Sequence, residues 1–215
     1  MRFIEEMTEA QVRNIKIFGE SIEKFIETHI SFVILTKAHA YKIKKAIQFS
    51  FLDFSSIAKR KFYCDQELKL NQRLAGDMYL DVVPVRQKDG QFLIHSQTGA
   101  IADHALQMRR MDNRKEMHRM LQSHSVTHAD IVKIAEILVN FHRSLPGIME
   151  PLDARALKDI FNDIRSIEGI LNRDFAGKYT GLVSQVRSFS DHFIDSHSTV
   201  LEERIRRGLI KDCHG

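Results

Sequence analysis

Lys42 and Lys44 are the residues whose type and spacing most invite chemistry. They stand two apart in Ala40-Tyr41-Lys42-Ile43-Lys44-Lys45, a run that reads as a strand. Strand alternation sends both ammonium groups to one face while Tyr41 and Ile43 take the other, toward a core. An ammonium is a compact point charge, which a phosphate group requires opposite it. A lysine that contacts phosphate also needs a carboxylate to hold it in position, and Glu67, in the helical stretch that follows, is the candidate. Two plainer readings stand beside these. The lysines could belong to a basic strand edge that resists aggregation, and Glu67 could be an ordinary surface acid on a helix.

The elements that must position these groups follow from hydrophobic periodicity. Residues 22–26, 29–36 and 40–46 read as strands, the last two joined as a hairpin across Lys37-Ala38-His39. Ser55 or Ser56 can cap a helix to about Ala75, with Ile57, Cys64, Leu68 and Ala75 on one face, before Gly76-Asp77 breaks it. Further strands are expected over 80–85, where Pro84 suggests an edge, over 91–94, and over 101–108. Beyond them the pattern turns helical. One helix starts at Thr127-His128-Ala129-Asp130 and ends at Pro146-Gly147, with Ile131, Ile134, Ala135, Leu138 and Phe141 on one face. A second is marked by Leu157, Ile160, Phe161, Ile164, Ile167 and Leu171, and a third runs over about 179–207. Strands in the first part and helices in the rest give an α+β chain of two lobes.

Composition closes off several classes of function. The 32 Lys and Arg against 28 Asp and Glu leave a net charge of only +4, and the short runs Lys42-Ile43-Lys44-Lys45 and Arg204-Ile205-Arg206-Arg207 do not make a nucleic-acid face. No nucleic-acid partner is expected. Cys64 and Cys213 lie far apart, without metal-ligand or disulfide spacing, which fits a reducing cytoplasm. No apolar run approaches the roughly 20 residues that span a bilayer, so no membrane partner is expected either. Gly-x-Gly-x-x-Gly and Gly-x-x-x-x-Gly-Lys-Ser/Thr are both absent, which removes a P-loop from consideration.

Glu27-Thr28-His29-Ile30-Ser31, the run from Tyr41 to Lys45, Phe51-Leu52-Asp53-Phe54 and Phe62-Tyr63-Cys64-Asp65-Gln66-Glu67, taken in order, resemble a bacterial branch of the aminoglycoside-phosphotransferase-like superfamily. The resemblance implies a protein-kinase-like fold: an antiparallel-sheet N-lobe with one helix over residues 1–108, and an incomplete helical C-lobe over 109–215. It implies ATP-dependent phosphoryl transfer to a hydroxyl of a small molecule, with magnesium bridging the phosphates. Lys44, with Lys42 as its fallback, then contacts the α- and β-phosphates, and Thr28 and Ser31 sit in the turn that touches phosphate. Backbone groups near Arg109 and Met111 bond adenine, with Met108 packed behind it. Ile210-Lys211-Asp212-Cys213-His214-Gly215 resembles the strand leading to the catalytic loop, which would begin at His214 and Gly215; the proton-accepting Asp and the magnesium ligands lie beyond them. The chain as written is therefore expected to be an inactive part of such an enzyme, with a downstream domain or partner covering the incomplete lobe. The alternative is a noncatalytic module that binds nucleotide or another protein.

Overall fold

The computed structural model describes residues 7–49, 52–175, 177–179 and 181–212. Phe51, Cys213, His214 and Gly215 lie outside them, and with them the expected start of a catalytic loop. The chain forms two compact units, Met1–Val126 and Thr127–Gly215.

In the first unit a short helix, α1 (Glu9–Arg13), leads into β1 (Lys16–Ile17), β2 (Ile22–Glu27), β3 (Ser31–Thr36) and β4 (His39–Lys44). A ribbon of β5 (Gln48–Phe49) and β6 (Leu52–Asp53) precedes α2 (Ile57–Ala75), then β7 (Tyr79–Lys88), β8 (Gln91–Ile94), β9 (Ala100–Arg109) and α3 (Met117–Gln122). Thr8 opens α1 with a capping box completed by Gln11, and the Ser56 hydroxyl caps α2 by accepting from the Lys59 N–H. The main sheet has seven strands in the order β1-β8-β7-β9-β4-β3-β2. β1 pairs with β8 in parallel, and the other neighbours pair antiparallel. Pro84 sits inside this sheet, but β8 pairs with β7 only from Val85 onward, so the proline lies just beyond the end of its neighbour.

The sheet wraps through 250° into a near-barrel. That corrects the expected open, kinase-type N-lobe sheet. The cause lies in residues 12–20, a segment without strong periodicity. Val12, Ile15 and Ile17 are buried with Ile34, Tyr41, Ile43, Val85 and Ile94, so the N-terminal segment fills the inside of the curve and its strand adds to the β8 edge. Just beyond it, the Glu20 carboxylate accepts hydrogen bonds from the Thr36 and Tyr41 hydroxyls, and His39 Nδ1 lies 2.9 Å away. The Tyr41 hydroxyl also meets His95 Nε2 at 2.9 Å and accepts from Gln107 Nε2 at 3.3 Å. His95 holds a positive φ of 60°, a conformation that a non-glycine residue adopts only when its surroundings fix it. One carboxylate thus joins the β1–β2 connection to β3 and β4, and through Tyr41 to β9 and the β8–β9 turn. Replacing Glu20 with Gln puts an NH₂ group where a donor already points, and we expect a loss of about 1–3 kcal/mol in urea unfolding. A Glu20→Gln protein as stable as the parent would show that the network does not hold the curve.

In the second unit α4 (His128–Ser144) begins at a capping box made by Thr127 and Asp130. It is followed by α5 (Ala154–Phe161), a 3₁₀ turn (Asn162–Ile167), α6 (Glu168–Asp174), α7 (Leu182–Ser196) and α8 (Ser198–Arg206). Five α-helices among the described residues of this unit correct the expectation of an incomplete lobe with three. Two of the expected helices are each broken in two. Asn162, only 6 % exposed, donates from Nδ2 to Asp191 of α7 at 3.0 Å and accepts from Arg187, a tertiary contact that overrides the helical period of 157–171. At the α7–α8 junction the Ser196 hydroxyl bonds back to His192 O, and His197 Nδ1 meets Phe193 O. The apolar stripe of α4 is present, yet Ile131, Ile134 and Leu138 are all exposed. No described helix is long and apolar enough to cross a membrane.

Candidate functional site

Alternation and register decide which side chains share the outer face of the sheet. Ser31 is opposite Lys44 and Val33 opposite Lys42, while on the other side Lys42 is opposite Leu106 and Ala40 opposite Met108. Ser31, Lys42, Lys44, Leu106 and Met108 therefore lie on one face, and Tyr41 and Ile43 on the other, in the core. Helix α2 packs on β7 and β9 and turns Arg60, Cys64 and Glu67, spaced i, i+4, i+7, toward the sheet.

Glu67 receives both lysines. Lys42 Nζ donates to Oε1 at 2.8 Å and Lys44 Nζ to Oε2 at 2.6 Å. The Lys44 side chain is only 5 % exposed, against 26 % for Lys42 and 18 % for Glu67. Burial pushes the Glu67 carboxyl up, but the hydrogen bonds and charges of the two lysines outweigh it and hold the group below the usual carboxylate range. Two cations share one anion, so the cluster keeps an excess positive charge, and Lys42 is its most accessible member. The Phe54 ring lies 4.9 Å from Lys44 Nζ and lends the ammonium its electron-rich face.

A buried ion pair on the same helix face fixes this arrangement. Arg60 Nε donates to both carboxylate oxygens of Asp103, at 3.1 and 2.9 Å, and its Nη1 donates to Phe54 O at 2.9 Å. The guanidinium thus anchors the residue whose ring sits by Lys44. Burial pushes the Cys64 thiol, on the same helix face, up to about 11, which leaves it protonated and inert at neutral pH. Tyr79 feels the cluster too: burial and the Glu67 charge raise its phenol.

The remaining expected residues are spread more widely. Thr28 and Ser31 lie at the β2–β3 turn, where the Thr28 hydroxyl accepts from the Ser31 N–H at 2.9 Å and donates to Ser31 O at 2.8 Å. Those groups are consumed by the turn itself. The Ser31 Oγ, fully buried and across the ladder from Lys44, has no hydrogen-bond partner. Met108 and Arg109 pair with Ala40 and His39, at the far end of β4 from Lys44 and about 13 Å along it by strand rise. The Arg109 N–H already donates to Met78 O at 2.8 Å, and Met111 is exposed beyond the strand. Among the described residues no group of three or more His, Cys, Asp or Glu converges as a metal-ligand set.

The chain is similar to three mycobacterial proteins. Uncharacterized protein Rv2004c of Mycobacterium tuberculosis H37Rv, MT2060 of M. tuberculosis CDC 1551 and Mb2027c of M. bovis are each 24 % identical to it over 200 residues. The match takes in 87 % of this chain but 36 % of each relative, so the chain spans about a third of the length of the curated proteins it matches. No protein-family model matches, and no solved structure does. The resemblance to aminoglycoside-phosphotransferase-like kinases is therefore corrected. No family model supports it, and the near-barrel sheet differs from the open sheet that it implies. The kinase and transferase descriptions fall with it, and the resemblance no longer supplies a reason to expect ATP.

Phe54, Arg60, Asp103 and Tyr79 belong to the cluster but were not named as site residues from sequence. Phe54 alone had a signal, its place in Phe51-Leu52-Asp53-Phe54. Arg60 and Asp103 lie 43 positions apart with no local pattern linking them.

Proposed function

We propose that the first unit is a binding module for a phosphorylated small molecule, nucleotides included, which it holds through Lys42 and Lys44 on the outer face of the sheet. The observation that carries this reading is the convergence of two ammonium groups on one carboxylate, which leaves a positive charge in a partly buried setting. A low dielectric strengthens the attraction of the excess cation for an incoming anion. The unpartnered Ser31 hydroxyl lies on the same face. Binding rather than turnover is the function we assign. Glu67 is engaged by both lysines and held below the carboxylate range, so it is unsuited to accept a proton from an attacking hydroxyl.

Calorimetric titration with ADP, ATP and pyrophosphate tests the reading. We expect saturable binding of at least one of the three, and a Kd at least tenfold higher in Lys44→Ala, about 1.4 kcal/mol. No saturable binding, or binding in which no step weakens in Lys44→Ala, would overturn it.

A further inference from the structure

The second unit carries a separate basic hollow. Two elements build it: the last turn of α4, with His142 and Arg143, and the segment that follows α8, from Arg207 to Lys211. The cleft between them is about 680 Å³, a size that holds small ligands. Its lining includes Arg143, Arg207, Lys211 and His142, with Leu209 and Ile210, and no carboxylate among the described residues.

The scaffold beneath is fixed by backbone. Ile148 N–H donates to Ile210 O at 2.9 Å, and Gly147 bridges to Lys211. A Cβ on Gly147 would stand 2.8 Å from the Gly208 Cα, so only glycine allows the two segments this close. Gly208 itself holds a positive φ of 63°. Lys211 Nζ donates to Leu145 O at 2.8 Å, which pins that ammonium beside the hollow. Arg143 and Arg207 are different: among the described residues neither guanidinium has an ion-pair partner.

Cations near the ends of α4 and α8 offset the helix dipoles, and that is the plain explanation for each taken singly. It does not require that cations from two helix ends face one hollow. We propose that this hollow is an anion site that takes a small phosphorylated ligand, with Arg143 and Arg207 as the binding forks and Lys211 as a fixed charge. Guanidinium groups suit the role because they bond phosphate oxygens in pairs.

The probe is pyrophosphate, titrated into the full chain while the His142 ring signals are followed by NMR, with His142→Asn used to assign them. The expected result is a saturable shift of His142, with a Kd at least tenfold higher in Arg143→Ala/Arg207→Ala and unchanged in Lys44→Ala. That last comparison separates this site from the one in the first unit, so either can fail alone. If the double variant does not fold, Arg207→Gln alone is expected to raise the Kd at least threefold. No saturable shift, an unchanged Kd in the arginine variants, or a loss of binding in Lys44→Ala would each overturn the proposal. So would a single-stranded RNA oligomer that shifts His142 at lower concentration than pyrophosphate, because the hollow would then serve a polymer.

Discussion

Replacing Asp103 with Asn is expected to destabilise the first unit by about 3–5 kcal/mol, read by urea unfolding at neutral pH. Arg60 is 5 % exposed and Asp103 2 %, and the guanidinium bonds both carboxylate oxygens. Asn keeps the shape and one acceptor but leaves a charge that cannot ionise away, since arginine stays protonated in proteins. The pair itself is no large source of stability. Burial pushes the Asp103 carboxyl above its ordinary value, and the bonds and charge of Arg60 return only part of that cost. The double change Arg60→Met/Asp103→Leu is accordingly expected to be far milder than Asp103→Asn, because it removes both charges at once. A single variant costing under about 1 kcal/mol would show that water or another group reaches Arg60. The loss should also reach the lysine face, because the same guanidinium holds Phe54 O and the Phe54 ring lies by Lys44.

How far the sequence discloses this molecule depends on whether a feature is local. The period of two in residues 40–45 separates Tyr41 and Ile43 from Lys42 and Lys44, and that division is visible in β4, with the first pair in the core and the second at Glu67. Thr127 and Asp130, three residues apart, announce α4 because a cap is a contact between near neighbours. Curvature is not local. Glu20 reaches Thr36, His39 and Tyr41 across 16 to 21 positions, and Tyr41 reaches His95 across 54, so no window of periodicity shows the sheet turning on itself. An ordered set of short motifs suggested an open sheet for the same reason: each motif reports its own strand, while closure is decided by Val12, Ile15 and Ile17 packing inside. The helical unit teaches the converse. Apolar stripes over 157–171 and 179–207 are real, but Asn162 and the turn at Ser196 and His197 interrupt the rods through side-chain bonds that hydrophobic spacing does not encode.

Glu67→Gln carries the strongest link between the candidate site and stability. Glutamine retains one carbonyl oxygen, so one lysine can keep a neutral acceptor while the other faces an NH₂ group. For Lys44, which is nearly buried, that loss is expected to cost about 1.5–3 kcal/mol at pH 7, the range for hydrogen bonds to charged groups. The pH dependence identifies the cause. The carboxyl lies below its ordinary value of 4.5 in the folded chain because two lysines bond its ionised form. Its contribution is therefore complete above about pH 4.5 and is lost as the pH falls through the lower, folded value. The Tm difference between the parent and Glu67→Gln should accordingly hold steady from pH 7 to about pH 5 and shrink below the ordinary carboxylate range. Other acids titrate in both proteins alike, so the difference isolates Glu67. A gap that stays constant down to pH 3 would place the cost in packing rather than charge, and the excess cation would no longer be available to explain why an anion should bind there.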